Sequence, residues 1–358
     1  MPQAVLGVAI LALVATVPPT STSALPAPSV LLDEAIGQTK AMALKSGDVD
    51  WPALEAKVRK EASGAEDIVD LLPALNTLVE GLGDGHSFVN ASAEDRALFR
   101  QRHGREFNAP HPVKKVTSAF RSRRTPEGRT LRLTTGKSIQ LVTVPSRQGG
   151  GAAGSAYANS LYSLVASGAA TSCGYIVDLR GNQGGNVWLM VSGLAPLLGD
   201  GWRSHEIGRD RKRTSAGYLK GDSVIAGDGE YAGQTIVKID GWKPLPRLAR
   251  VPVGVLIDDA VASSGEGVAV AFKPRPLTRF FGGATFGVAS SNQGFMVGDR
   301  VNMVVTTAMM ADRHGRTFPN GIAPDETVTP GPGSAADSED ATIEAAKAWL
   351  TKQKPCQR

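Results

Sequence analysis

The stretch VLIDDAVASSGEGVAVAF, residues 255–272, decides the reading. An apolar run ends in a turn of small residues, and an apolar helix pattern follows. A buried strand therefore hands over to a buried helix at Ser263. A side chain at such a seam is exposed, and the first N–H groups of the helix lack intrahelical partners. A nucleophile beside an oxyanion site needs that geometry. Ser is also a preferred helix N-cap, so Ser263 has a purely structural alternative.

Three other segments bear on that choice. Residues 175–186, YIVDLRGNQGGN, read as a short buried strand followed by a glycine loop. Gly184 and Gly185 let its backbone turn and approach a ligand. Residues 83–89, GDGHSFV, place His86 and Ser87 among glycines. Residues 280–295, FFGGATFGVASSNQGF, form a Gly/Ser-rich turn between two strand-like runs.

In this order the motifs resemble the tail-specific, or C-terminal processing, serine protease family, from about Asp50 to Asp325. The shared pieces are Asp84-Gly-His-Ser87, Asp178-Leu-Arg-Gly-Asn-x-Gly-Gly185, Ala262-Ser-Ser-Gly-Glu266, Thr285-x-Gly287 and Gly321-Ile-Ala-Pro-Asp325. The resemblance implies that Ser263 is the nucleophile, with oxyanion donors at the Ser264 amide and at a glycine of the Gly184–Gly185 pair. It implies a ClpP/crotonase-like spiral of β-β-α units. The best-known branch uses a lysine base just after the Thr-x-Gly turn. Here that position is Val288, and no lysine occurs from Pro274 to Ala346. An unassisted serine hydroxyl is a poor nucleophile, so another base is required. The tricorn-like branch takes a histidine from the upstream motif, and His86 matches it. His is also suited to proton transfer near neutral pH. The glutamate that orients this histidine in that branch is replaced by Phe318. Asp312 ranks first among the acidic substitutes, ahead of Asp325, Glu266 and Asp84. Ser87 is a further contact for the ring.

Composition sets the frame. The chain has 358 residues, 42% hydrophobic and 20% charged, with a net charge of +5. That suits a globular α/β protein with a sizeable core. Arg121, Arg123, Arg124, Arg129 and Arg132 cluster, but no aromatic interleaving or nucleic-acid motif accompanies them. Ala4 to Val17 is an apolar run too short for a comfortable membrane span, followed by small residues at Thr22–Ala24. This predicts a signal peptide over 1–24, export to a periplasmic or secreted location, and no stable membrane anchor afterwards. Cys173 and Cys356 are too few for a disulfide framework; Cys173 reads as a packed core thiol, or as the partner of Cys356 in an oxidising compartment. The five histidines show no metal-ligand spacing, and nothing calls for a cofactor.

Along the chain, helical patterns at 31–44, 50–62, 67–79 and 91–102 make a small N-terminal helical region, 25–90, and open a basic connecting segment, 91–136. Residues 103–136 read as irregular. The gap between Val89 and Ser138, about 50 residues, is short for a PDZ module. From Ile139 strands and helices alternate, giving a catalytic α/β domain over 137–330. Residues 200–250 form a polar excursion with Trp202, Tyr218, Tyr231 and Trp242, read as a hairpin arm along a groove. The tail, 331–358, carries a helix near 340–351. The expected activity is hydrolysis of peptide or protein substrates through an acyl-enzyme. The alternatives are a ligand- or peptide-binding protein on the same fold, or an esterase. The oligomeric state stays open.

Overall fold

The computed structural model describes residues 26–107, 116–118, 124–329 and 340–357. The expected signal peptide, part of the basic cluster and residues 331–339 lie outside the described residues. The chain opens with helices α1 (Pro28–Met42), α2 (Trp51–Glu61) and α3 (Leu72–Glu80), strand β1 (Phe88–Asn90) and helix α4 (Ala93–His103). Next come β2 (Glu127–Arg132), β3 (Ser138–Thr143), α5 (Gly151–Ser167), β4 (Ser172–Asp178) and α6 (Val187–Leu198). The excursion supplies β5 (Arg203–Gly208), β6 (Arg213–Lys220), β7 (Ser223–Ala226) and β8 (Thr235–Lys238). Then follow β9 (Val253–Ile257), α7 (Ser264–Phe272), β10 (Thr278–Gly282), β11 (Ser290–Val297), β12 (Val301–Ala311), β13 (Glu326–Thr327) and α8 (Ala341–Thr351).

Two sheets organise these elements. The first runs β13-β10-β9-β4-β3-β2, parallel except for β2. Every residue of β4 and β9 is buried, as expected of strands covered on both faces. Val253, Val255 and Ile257 point into the core shared with α5, α6 and α7, while Leu256 joins Ile343, Ala346 and Leu350 of α8 on the opposite face. Helices α6 and α7 carry apolar residues all round because protein surrounds them.

The second sheet is antiparallel, in the order β1-β12-β5-β6-β7-β8, with β11 on β12. The N-terminal helices cover it, burying Leu72, Leu75 and Leu78 of α3 against Val297, Val301, Met303 and Val305. Helix α2 starts as the sequence indicates, with Asp50 accepting from the Ala53 N–H at 3.1 Å. The architecture is α/β, as expected.

Three expectations change. The stretch 103–136 is not irregular throughout: β2 pairs antiparallel with β3, and its mixed polar sequence is tolerated at a sheet edge. The excursion 200–250 does form hairpins and reaches the main cleft through Glu206 of β5, but its aromatic residues lie elsewhere. Trp202 is buried in the core, Trp242 stacks on Tyr162 at 5.1 Å, and Tyr231 is exposed. Cys173 is not a lone core thiol; it is disulfide-bonded to Cys356, which ties the C-terminal segment to β4.

A buried ion triad reinforces that tie. Arg180 reaches Asp178 and Asp340, each at 2.7 Å, and all three residues are buried. Asp340 also accepts from the Thr342 and Ile343 N–H groups at the start of α8. Arg180→Ala would strand two carboxylates, and we expect it to lower unfolding free energy by roughly 3–5 kcal/mol. Denaturant unfolding of wild type and variant checks this; a change below about 1 kcal/mol would mean that the triad is not a structural pin.

Candidate active site

The site lies where the two sheets meet. Strand β9 ends at Ile257, and its chain turns through Asp258 to Ser263 before α7 begins. Ser263 has φ 53° and ψ −122°, strained for a residue with a Cβ. Glu266, fully buried one turn into α7, holds it there. Its carboxylate accepts from the Ser263 N–H at 3.2 Å, and from Thr285 Oγ1 at 2.5 Å and the N–H groups of Gly287 and Val288 at 2.9 and 2.8 Å. Burial pushes the Glu266 carboxyl above its usual range, while these donors pull it back.

The Ser263 hydroxyl is engaged elsewhere: Oγ lies 2.9 Å from His86 Nε2. His86 sits just before β1, in a loop shaped by Asp84. That carboxylate accepts from the His86 and Ser87 N–H groups at 2.8 and 2.7 Å and from Ser87 Oγ at 2.6 Å. Ser87 Oγ in turn accepts from the Thr306 N–H of β12 at 3.0 Å, fastening the loop to the second sheet. The other ring nitrogen, Nδ1, lies 2.8 Å from Ser290 Oγ at the start of β11.

Ser290 thus occupies the place assigned to an acid. Asp312 does not reach the ring. It accepts from the His314 and Arg316 N–H groups and pairs with Arg316 Nε at 2.7 Å, closing a tight turn after β12. Asp325 accepts from the Phe280 N–H, and Glu266 and Asp84 shape their own loops. Sequence reasoning passed over Ser290 because it sought a carboxylate; the only signal was its place in the Gly/Ser-rich stretch 280–295. With Nδ1 donating to Ser290, Nε2 presents a lone pair to the Ser263 hydroxyl. Burial lowers the His86 pKa to about 4, against a smaller upward pull from Asp84, so the ring is neutral at neutral pH.

The glycine loop after β4 closes the site's other side. Asn182 stitches it down: its carbonyl accepts from the Ala262 N–H at 3.0 Å, and its Nδ2 donates to Val144 O at 2.8 Å. Its Oδ1 accepts from the Gly184 N–H at 2.9 Å, so that amide is committed. The Gly185 and Ser264 amides donate to no acceptor among the described residues. Ser264 Oγ donates to Gly185 O at 2.7 Å, holding the two residues side by side. Gly185 has φ 121°, and a Cβ there would lie 2.1 Å from Arg147 O, so only glycine fits. The amide pair is therefore Ser264 with Gly185 rather than Gly184.

A cleft of about 740 Å³ opens over Ser263 and His86, walled by Trp188, Phe286, Val288 and Met310 among others. Among the described residues, no three His, Cys, Asp or Glu side chains gather as a metal site.

Comparison with known proteins agrees with this geometry. Residues 138–328 match the model of peptidase family S41. The chain belongs to peptidase family S41. It is accordingly a serine-type peptidase, a hydrolase of the tail-specific protease group. A nisin-resistance protein of Lactococcus lactis subsp. lactis is 27% identical over 84% of this chain and 83% of its own length. Among solved structures, a lipoprotein from Streptococcus agalactiae aligns with TM-score 0.65 at 21% identity, covering 91% of this chain and 96% of that one. The photosystem II D1 C-terminal processing protease aligns at TM-score 0.55 and 14% identity, covering 93% and 99%. Both share the fold. Within this family-S41 peptidase the residue after the Thr285-x-Gly287 turn, Val288, lies on the cleft wall and its N–H serves Glu266.

The His86 environment sets a pH signature. The neutral imidazole is the competent form, so serine reactivity should stay level from neutral pH downward and fall only as pH drops through about 4. The same shift makes folding stability decline from pH 6.5 towards 4, because the unfolded chain takes up the proton first. Ser290→Asp would place a carboxylate on Nδ1 and should move the acid limb upward; Ser290→Ala should slow the reaction by about tenfold or more. Rates of serine labelling against pH read both. An acid limb at the ordinary histidine value in wild type would refute this account of the ring.

Proposed function

We propose that this peptidase hydrolyses peptide bonds with Ser263 as nucleophile, His86 as general base and Ser290 orienting the ring. The observation that carries the reading is the 2.9 Å contact between Ser263 Oγ and His86 Nε2. Ser263 Oγ attacks the scissile carbonyl carbon as its proton passes to Nε2. The carbonyl oxygen gains negative charge and is held by the Ser264 and Gly185 N–H groups. Collapse expels the amine, which takes the proton from His86 and leaves an acyl-enzyme. Water then attacks, with His86 taking its proton, and the acid product leaves as Ser263 regains its hydrogen.

We infer export as well. The apolar run at 4–17 with small residues after it supports a leader, and the Cys173–Cys356 disulfide suits an oxidising compartment. Among the described residues no helix is long and apolar enough to cross a membrane. The described part of 91–136 holds α4 and β2, and the cleft is the surface we assign to substrate selection. Nisin is one peptide to test, given the name of the Lactococcus relative.

Fluorophosphonate labelling with mass mapping tests the chemistry. The adduct should fall on Ser263, vanish in Ser263→Ala, and form at least about 100-fold more slowly in His86→Ala. An unchanged rate in His86→Ala would move the base elsewhere. A folded wild type that takes no adduct would favour a binding protein on this fold.

A further inference from the structure

The charge on the cleft wall is lopsided in a way the reaction does not explain. His86 is neutral at neutral pH, and among the described residues the only other acidic or basic side chain lining the cleft is Glu206 of β5. Its carboxylate is half-buried and makes no ion pair or hydrogen bond with any described residue. A partly desolvated carboxylate without a partner is costly, and a cation arriving there gains a charge-assisted hydrogen bond.

The surroundings match a particular cation. Glu206 sits directly across the β5–β12 ladder from Met310. A small side pocket of about 30 Å³ opens off the cleft at this point, sharing Val187, Trp188, Glu206, Ser291 and Met310 with it. That space takes one polar head group, and the Trp188 ring and the Met310 thioether offer an apolar collar. A long aliphatic stem ending in a positive charge fits such a collar, with the stem against apolar walls and the head at the carboxylate. Two other charged residues line the side pocket, and neither cancels Glu206. Asp312 is already paired with Arg316, and Arg203 is exposed and stacks over Tyr218 at 4.7 Å.

We propose that Glu206, Trp188 and Met310 form a subsite for a lysine or arginine side chain of the substrate, so that this peptidase selects cationic peptides. The inference rests on the reading of Ser263 and His86 as the peptidase centre. The chain itself is net positive at +5, so this local negative site runs against its overall charge and would not arise from general electrostatics.

The test is cleavage-site profiling by mass spectrometry. The substrate is a proteome-derived peptide library made with a glutamyl endopeptidase, which leaves Lys and Arg internal. Wild type should show Lys and Arg enriched about tenfold over Gln and Leu at one fixed position from the scissile bond. Glu206→Gln should erase that enrichment, and Glu206→Lys should replace it with Asp, the acidic residue that this library keeps internal, at the same position. Cleavage without basic enrichment, or enrichment that survives Glu206→Gln, overturns the inference and leaves the peptidase reading intact. No cleavage of this Lys- and Arg-rich library overturns it too, and fluorophosphonate labelling of Ser263 in the same sample shows whether the peptidase reading falls with it.

Discussion

Ser263 is held at φ 53°, a backbone state that a serine keeps only when its surroundings over-determine it. The holder is the buried Glu266 carboxylate. It binds the Ser263 N–H on one side and three donors from Thr285, Gly287 and Val288 on the other. One side chain therefore pins the Ser263 turn to the segment that leads into β11. From that pin the rest of the site follows. The Ser263 hydroxyl faces the cleft, the first amide of α7 is open, and Ser290 lies within reach of the imidazole. The residue after the Thr285-x-Gly287 turn, Val288, is a backbone donor to Glu266, with its side chain on the cleft wall.

The imidazole comes from the other layer. His86 is delivered by the loop between α3 and β1, and its ring spans the gap between Ser263 of the first sheet and Ser290 of the second. A serine on Nδ1 orients the ring without placing a negative charge beside it. Burial then dominates, and the imidazole stays neutral far below its ordinary pKa. A carboxylate at that place would stabilise the imidazolium more than Ser290 does.

The glycine-loop side has its own foundation. Asn182 commits the Gly184 amide and ties the glycine loop to Ala262, while Ser264 Oγ grips Gly185 O. Beneath the loop, Arg180 joins Asp178 to Asp340 at the start of α8, and the Cys173–Cys356 disulfide fastens the end of the same segment to β4. The C-terminal segment thus braces the strand that presents the glycines.

Local pattern marked the strand-to-helix seam at Ser263, the glycine loop and the α/β core, because seams, glycine runs and apolar periodicity are written in neighbouring residues, whereas His86 was singled out by the family resemblance. The alternation of strands and helices after Ile139 was legible from local pattern. Contacts between distant residues were not. Ser290 reaches His86 across 204 positions, and a serine carries no mark of that partnership, so the acid Asp312 drew the assignment although it only closes a turn. Either glycine of the pair could have offered its amide until the Asn182 side chain took one. Edge strand β2 exists because β3 offers it a ladder, and the Cys173–Cys356 bond exists because the fold brings two ends of the chain together. Sequence determined which groups are present and the local backbone that carries them. Tertiary packing decided which of them meet, because hydrogen bonds and ion pairs depend on distances that no local pattern encodes.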